Sequence, residues 1–312
     1  MFIVTRIPWV SVSGFGAHIK STRQNLIIQK KGSVEEYPLE SIKHLLIVGG
    51  HSITSVAINQ LVQQGAFISF FEPDGTPVGT IRPFSDPEQL NLISHQHEIP
   101  RQRLAVAIAQ AALKSRLIAI QHAEEERNVR FYYEGEVELM HKSFEEMAYL
   151  IKLNEIRRLH RLTTDMYYEI MARGLPKELG FRRRTLRPQL DPVNAMLSFG
   201  YAMLYGTCFV SVIGSGLDPD RGFLHDGKGS LVQDLIEPLK SVMVDAMVFG
   251  LVQEKFHPHD FEITQDRCLL SDYLMKKMIG AFYTSINTEK VQDQVAGMLT
   301  AISDGEEFTV LY

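Results

Sequence analysis

Three residues with metal-binding side chains lie close together in the second half of the sequence. His225 follows a loop rich in Gly, Asp and Pro, and Asp234 and Glu237 come after it. The two carboxylates are spaced i and i+3, so they share one face of a helix that we expect to begin near Ser230. Such nitrogen and oxygen donors suit Mn²⁺ or Mg²⁺ better than a soft-ligand metal, and Zn²⁺ stays open. The structural alternative is that the acids only complement the helix dipole.

A dense group of arginines precedes a long uncharged segment. It comprises Arg182, Arg183, Arg184 and Arg187. Prolines 188 and 192 keep this stretch extended. Clustered guanidinium groups fit the recognition of DNA backbone phosphates. A solvated charged loop is the plainer alternative.

The net charge of −5 is unevenly distributed along the 312 residues. Residues 101–190 hold 17 Lys and Arg against 12 Asp and Glu, a balance of +5, and the remainder holds 15 against 25, a balance of −10. Because a phosphate-binding surface needs local positive potential, the acidic total is compatible with a nucleic-acid partner. It argues against a protein that coats nucleic acid without specificity.

Composition excludes several classes of protein. With 45% hydrophobic residues, 13 Pro and 22 Gly, the chain is neither disordered nor collagen-like. Two cysteines cannot build a disulfide scaffold and suit a reducing compartment. We expect a cytoplasmic protein without a signal peptide, since Arg6 interrupts the apolar N-terminus. The 26 uncharged residues 192–217 predict a buried core helix, and we expect no membrane partner.

The elements that must position these groups indicate an α+β protein. Residues 1–85 predict a small β-rich domain, with a hairpin over Arg23–Leu39 that turns at Gly32 and a short helix that stops at Gly65. A polar, proline-broken linker is expected at 86–101, and an all-helical domain at 102–312. Its predicted helices cover Leu104–Gln121, Ser143–Gly174, Asn194–Val212, Ser230–Lys255, Cys268–Tyr283 and Thr288–Ser303.

Three sequence blocks, in this order and spacing, resemble the CRISPR adaptation integrase family: DPVNAMLSFGYAMLYG, GLDPDRGFLH and SLVQDLIEPLK. The resemblance spans nearly the whole chain. It implies a metal-dependent endonuclease and integrase that joins captured DNA fragments to the CRISPR repeat by transesterification. It also implies a homodimer formed largely through the N-terminal domains. Two such dimers would flank a dimer of a small ferredoxin-like CRISPR adaptation protein.

The resemblance also implies roles for single residues. His225 and Glu237 match the family's metal-binding His and acid, and Asp234 matches the carboxylate that supports them. The family's third ligand is a Glu about seven residues before an aromatic pair, which here is Tyr167 and Tyr168. Counting from Tyr168 gives Arg161, and counting from Tyr167 gives His160. We favour Arg161 as the family Glu position.

Neither residue is a carboxylate, so the chain departs from the family at this position. An arginine there would repel a divalent ion and could pair with Glu237 or Asp234. Asp165, one turn further on, could substitute for the missing carboxylate. The sequence therefore leaves two hypotheses: an active integrase, or a silenced member that binds DNA as a scaffold. A third, an unrelated all-α metal hydrolase, predicts small substrates and no DNA affinity.

Overall fold

The structure is a computed structural model that describes residues 8–83, 87–186, 189–254, 256–257, 259–265 and 267–312. Within these ranges, strands dominate up to Ile81 and helices dominate after it. The predicted α+β class is therefore confirmed.

Two four-stranded sheets form the N-terminal region. The first contains, in spatial order, β1 (Trp9–Ser13), β5 (His44–Val48), β7 (Phe67–Phe71) and β8 (Pro77–Ile81); β1, β5 and β7 are parallel, and β8 is antiparallel to β7. The second contains β4 (Ser33–Pro38), β3 (Asn25–Lys30), β2 (His18–Ser21) and β6 (Ser52–Ile53). Helix α1 (Ser55–Gln63) shares a core with both sheets through buried side chains such as Ile19, Leu45 and Leu61.

The hairpin predicted from sequence is present as β3 and β4, which pair antiparallel from Asn25 opposite Pro38 to Lys30 opposite Ser33. Gly32 stands in the turn with φ +89°. Because side chains rarely adopt a positive φ, glycine is the residue that closes this turn at little cost.

Helices account for most of the remaining chain. They are α2 (Pro87–Glu98), α3 (Arg101–Arg127), α4 (Glu136–Met147), α5 (Leu153–Arg173), α6 (Pro192–Ser215), α7 (Ser230–Ile236), α8 (Ala246–Leu251), α9 (Asp272–Ser285) and α10 (Thr288–Ser303).

Several features differ from the sequence expectation, among them the single helix expected over Ser143–Gly174, which is divided between α4 and α5. Helix α2 occupies most of the segment interpreted as a linker, and a short hairpin of β9 (Phe261–Ile263) and β10 (Cys268–Leu270) lies within the region expected to be all-helical. The helix expected from Cys268 begins only at Asp272, where the Ser271 side chain accepts a hydrogen bond from the Leu274 N–H. The domain boundaries themselves stay a prediction.

Helix α6 is the long uncharged segment, and its start is set by two neighbouring residues. Asp191 accepts the Asn194 N–H at 2.8 Å, and Pro192 begins the helix, where a missing N–H costs nothing. By length and composition, α3 and α6 could each cross a membrane, but 56% and 50% of their most apolar windows are buried within the fold. Gly214 of α6 packs against Trp9 and Leu46, which joins the helix to the first sheet.

Candidate metal centre

Two imidazoles and one carboxylate converge between α5 and α7. His160 lies on α5, His225 lies in the loop between α6 and α7, and Glu237 directly follows α7. One donor atom from each lies within 4.8 Å of the other two, and His160 Nε2 is 3.3 Å from Glu237 Oε1. The two imidazole rings are almost perpendicular, with centroids 6.1 Å apart. We call these three residues the His–His–Glu cluster.

Because of Pro238, the regular helix α7 ends at Ile236, directly before Glu237. Pro238 has no N–H to continue the α-helical ladder, and α7 changes there into a 3-10 turn over Glu237–Leu239. A π-helical turn over Ser241–Asp245 follows before α8. Such turns often occur at functional sites. The Glu237 side chain is 5% exposed, so this irregular segment places a carboxylate inside the protein.

Asp234 holds the loop that carries His225. Its fully buried carboxylate accepts the backbone N–H groups of Phe223 and Leu224 on Oδ2, at 2.5 and 3.0 Å. Oδ1 accepts the backbone N–H and lies 2.7 Å from Nδ1 of His225. A carboxylate on Nδ1 fixes the tautomer that leaves Nε2 as the ligand atom. Asp234 therefore orients His225.

Two arginines fasten the same loop from other helices. Arg101, at the start of α3, donates to the carbonyls of Phe223 and His225 at 3.1 and 2.6 Å. Arg157, on α5, donates to the carbonyl of Leu224 at 2.5 Å. Both also pair with Asp226, at 2.5 and 2.6 Å, and these pairings hold the pKa of that carboxyl below its ordinary value.

Glu237 is also held by two cations. Arg116, a buried residue of α3, donates to Oε1 at 2.5 Å, and Lys240 donates to Oε2 at 2.5 Å. Burial raises the pKa of Glu237, but Lys240, His160 and Arg116 together outweigh it and hold the pKa well below its ordinary value. Burial lowers the pKa of His160 although Glu237 opposes this effect, so its imidazole is neutral and can offer a lone pair.

A polar chain lies beside the cluster. The Tyr201 hydroxyl donates to Asp245 Oδ1, and the Tyr168 hydroxyl is 2.5 Å from that of Tyr201. Burial raises the pKa of Asp245 to about 6. The Lys240 ammonium group lies 5.4 Å from the centroid of the Tyr201 ring and donates to Glu237, so it links this chain to the cluster.

The structure brings His160 rather than Arg161 beside Glu237. Arg161 is exposed, and the ion pair that it could form with Glu237 is absent among the described residues, where Arg116 and Lys240 pair with the carboxylate instead. The alternative register places His160 in the cluster. Asp165 is also exposed, so it supplies no substitute carboxylate to the cluster.

The sequence did contain a signal for this register. The buried residues of α5 include Ile156, His160, Thr163, Tyr167 and Ile170. Their spacing of four, three, four and three residues is that of a single helix face. Arg161 falls outside this stripe. Arg101 and Arg116 had no comparable signal, since each lies more than 120 residues from its partners in this site.

The four predicted DNA-binding arginines have different surroundings. Arg182 and Arg183 are exposed. Arg184 donates to Asn194 Oδ1 at 2.9 Å and to Ser198 Oγ at 2.8 Å, so it anchors its own segment to α6. Arg187 lies outside the described residues.

The donor set fits a divalent ion. Donor atoms about 2.1 Å from a metal at tetrahedral angles lie about 3.4 Å apart, close to the 3.3 Å between His160 and Glu237. His160 Nδ1 is buried and has no hydrogen-bond partner among the described residues. The contact with Glu237 therefore accounts for one ring nitrogen of this buried imidazole and leaves the other unpaired.

Known proteins resemble this chain over most of its length. The profile of the family described as CRISPR associated protein Cas1 matches residues 10–284. A protein of Methanospirillum hungatei JF-1 that is named as a CRISPR-associated endonuclease Cas1 is 38% identical over 301 residues, 96% of this chain and 99% of that protein.

Two solved structures share the fold. The structure of a casposase bound to integration product has a TM-score of 0.82 at 19% identity and covers 98% of this chain and 99% of its own. A chain of a partial Cas6-RT-Cas1–Cas2 complex has a TM-score of 0.77 at 20% identity, over 97% of the present chain and 98% of its own length.

Proposed function

The chain belongs to the CRISPR-associated Cas1 family, and from this premise we propose that it is a divalent-metal-dependent DNA endonuclease and integrase of CRISPR adaptation. The observation that carries the proposal is the His–His–Glu cluster, which gathers metal-binding side chains from α5, the α6–α7 loop and the end of α7. In the proposed reaction a 3′-hydroxyl attacks a phosphodiester at the edge of the repeat. The hydroxyl gives up its proton as a new bond forms between its oxygen and phosphorus, the old phosphorus–oxygen bond breaks, and the departing oxygen takes up a proton.

His160, His225 and Glu237 would hold the ion. When bound there, a divalent ion would polarise the phosphate and stabilise the charge that develops on its oxygens. The surrounding residues contribute orientation. Asp234 fixes the imidazole of His225, and the two arginines that fasten its loop keep the backbone in place. We place Asp234 and both arginines as positioning residues, since none of them is in the cluster.

The proposed DNA surface extends from the cluster to the basic segment before α6. Arg182 and Arg183 are exposed and available for phosphates. Arg187 stays part of the prediction from sequence. Arg184 would act indirectly, because its guanidinium is already bound to Asn194 and Ser198 and holds the segment against α6.

The proposed partners are DNA, a second copy of this chain and a small ferredoxin-like CRISPR adaptation protein. One solved structure with this fold is a partial Cas6-RT-Cas1–Cas2 complex, and another is a casposase bound to integration product. The N-terminal region exposes several apolar side chains that suit a protein contact: Phe15, Val34, Val56 and Val78. Light scattering of the purified chain tests the homodimer.

Strand transfer tests the proposed activity. Branched DNA carrying a labelled strand is incubated with the chain and Mn²⁺, beside the variants His225→Ala and Glu237→Gln. We expect joined product from the unaltered chain and at least a 100-fold lower rate from either variant, since each removes a metal ligand. Joining by all three proteins at one rate would contradict the proposed site.

A second function is favoured by one observation. Both oxygens of Glu237 are already paired with cations, Arg116 and Lys240, which opposes the binding of a further cation. The chain would then bind DNA and its partners as a scaffold without chemistry. Retention of branched DNA with no joined product, in Mn²⁺ or Mg²⁺ and with the partner protein present, would support this second function.

A further inference from the structure

We infer that the His–His–Glu cluster is a site for a nitrogen-preferring first-row transition ion, of the Zn²⁺ class, and that Mg²⁺ does not hold it. The inference deepens the proposed function and rests on it for its biological meaning. Its physical basis is the identity of the three donors, of which two are imidazoles and only one is a carboxylate.

The donor chemistry separates the two classes of ion. Mg²⁺ is a hard ion that takes oxygen ligands and keeps most of its water, whereas imidazole suits Zn²⁺ and its neighbours in the first transition row. Two histidines with one glutamate form a known Zn²⁺ ligand set. A hard ion would find one protein oxygen donor here, and a transition ion would find three suitable atoms.

The charges around the cluster act in the same direction. The only anionic donor of the cluster, Glu237, is shared with the guanidinium of Arg116 and the ammonium of Lys240. Mg²⁺ depends on carboxylate charge for its binding, so this competition removes most of its attraction. An imidazole nitrogen coordinates a metal through a lone pair and not through a charge, so its bond to a transition ion is less affected by the two cations.

The geometry also supports a compact N,N,O site. His225 presents Nε2 because its Nδ1 is bonded to Asp234 at 2.7 Å. His160 is 8% exposed and has no protein partner for Nδ1 among the described residues, while its Nε2 already lies 3.3 Å from Glu237. The three donor atoms lie within 4.8 Å of one another. Small movements of the side chains would therefore let all three contact one ion.

The experiment measures metal binding to the full chain without DNA. Titration calorimetry with Zn²⁺, Mn²⁺ and Mg²⁺ is run on the unaltered chain, His160→Glu and His160→Gln, and the visible spectrum of bound Co²⁺ reports nitrogen ligation. His122→Ala is the matched control, because His122 is exposed on α3 and outside the cluster. Thermal melting of each metal-free variant confirms that it is folded.

The unaltered chain should bind about one equivalent of Zn²⁺ and show no saturable Mg²⁺ binding at millimolar concentration. The His160→Glu variant should gain saturable Mg²⁺ binding, so that its preference for Zn²⁺ over Mg²⁺ falls at least about tenfold. His160→Gln should lose Zn²⁺ affinity by about 10–100-fold, and His122→Ala should bind as the unaltered chain does.

Three results would overturn the inference: saturable Mg²⁺ binding by the unaltered chain, an unchanged Zn²⁺/Mg²⁺ preference in His160→Glu, or Zn²⁺ binding that survives both changes at position 160.

Failure of the proposed function would give different results. If the cluster binds Zn²⁺ but no DNA is cut or joined with any ion, the function is wrong and the ion preference stands. If DNA is joined with Mg²⁺ and position 160 has no effect on metal preference, the ion preference is wrong and the proposed function stands.

Discussion

Asp234 accepts two hydrogen bonds from one residue, His225: the backbone N–H at 2.9 Å and the ring Nδ1 at 2.7 Å. Its other oxygen accepts the N–H groups of Phe223 and Leu224. One carboxylate thus fixes both the backbone and the ring of a cluster residue, from the next helix along the chain. The Asp234 side chain has no exposed surface, and these four groups are its hydrogen-bond donors among the described residues.

Replacing Asp234 by Asn should disturb this arrangement without changing the volume. An amide presents one acceptor oxygen and one donor nitrogen, so two of the four donors lose an acceptor. We expect Zn²⁺ affinity to fall about 10–100-fold, as for other residues that orient metal-bound histidines. Calorimetry measures this fall, and an unchanged affinity would show that His225 needs no such support.

Arg157 and Arg158 are neighbours on α5 that should behave differently. Arg157 is half-buried and donates to the Leu224 carbonyl, whereas Arg158 is exposed. Arg157→Gln should loosen the loop that carries His225 and reduce metal affinity severalfold, and Arg158→Gln should leave the affinity unchanged. Calorimetry on the pair compares them. Equal affinities in the two variants would mean that the loop is held without Arg157.

The buried ion pair between Arg116 and Glu237 should be costly to break from one side. Arg116→Met removes the cation and leaves Glu237 with Lys240 as its remaining cationic partner among the described residues. Losing one partner of a buried pair typically lowers the free energy of unfolding by about 3–5 kcal/mol. Urea denaturation measures this change. Arg161→Met, at an exposed position, should change it by less than about 0.5 kcal/mol, and a comparable loss there would contradict the burial described.

Asp245 should make stability depend on pH in the acid range. Its pKa is raised from 3.8 to about 6, a difference worth roughly 3 kcal/mol, so the folded protein holds the proton more tightly than the unfolded chain. This contribution is fully present below pH 3.8 and is lost as the pH rises through about 6. Asp245→Asn has no carboxyl to titrate at this position. As the pH rises through this range, the unaltered chain should therefore lose free energy of unfolding relative to the variant. Parallel pH profiles in urea denaturation would contradict this.

Local sequence patterns were enough to predict much of the fold. Gly32 between two apolar runs predicted the β3–β4 hairpin. This feature depends on backbone conformation over a few residues, which composition and spacing can report. The long uncharged run predicted α6, but Pro192, which was interpreted as part of an extended stretch, is its first residue. The grouping of His225, Asp234 and Glu237 could also be predicted from the sequence, because the three residues lie within a short stretch of chain.

The remainder of the site depends on tertiary packing. Arg101 and Arg116 reach their partners across more than 120 residues, and no local pattern indicates such pairs. The register on α5 was missed for another reason. Tyr167 and Tyr168 are both buried, so counting from an aromatic pair could not decide which of two adjacent residues faces inward. The buried stripe through Ile156 and Thr163 does decide it, in favour of His160.

The most direct test of the account compares two adjacent positions in one strand-transfer assay. His160→Ala and Arg161→Ala are each incubated with labelled branched DNA and Mn²⁺, beside the unaltered chain. Since His160 belongs to the cluster and Arg161 is exposed, we predict that His160→Ala lowers the rate of joining at least 100-fold and that Arg161→Ala stays within about threefold. Loss of joining in Arg161→Ala with normal joining in His160→Ala would contradict the site proposed for this protein.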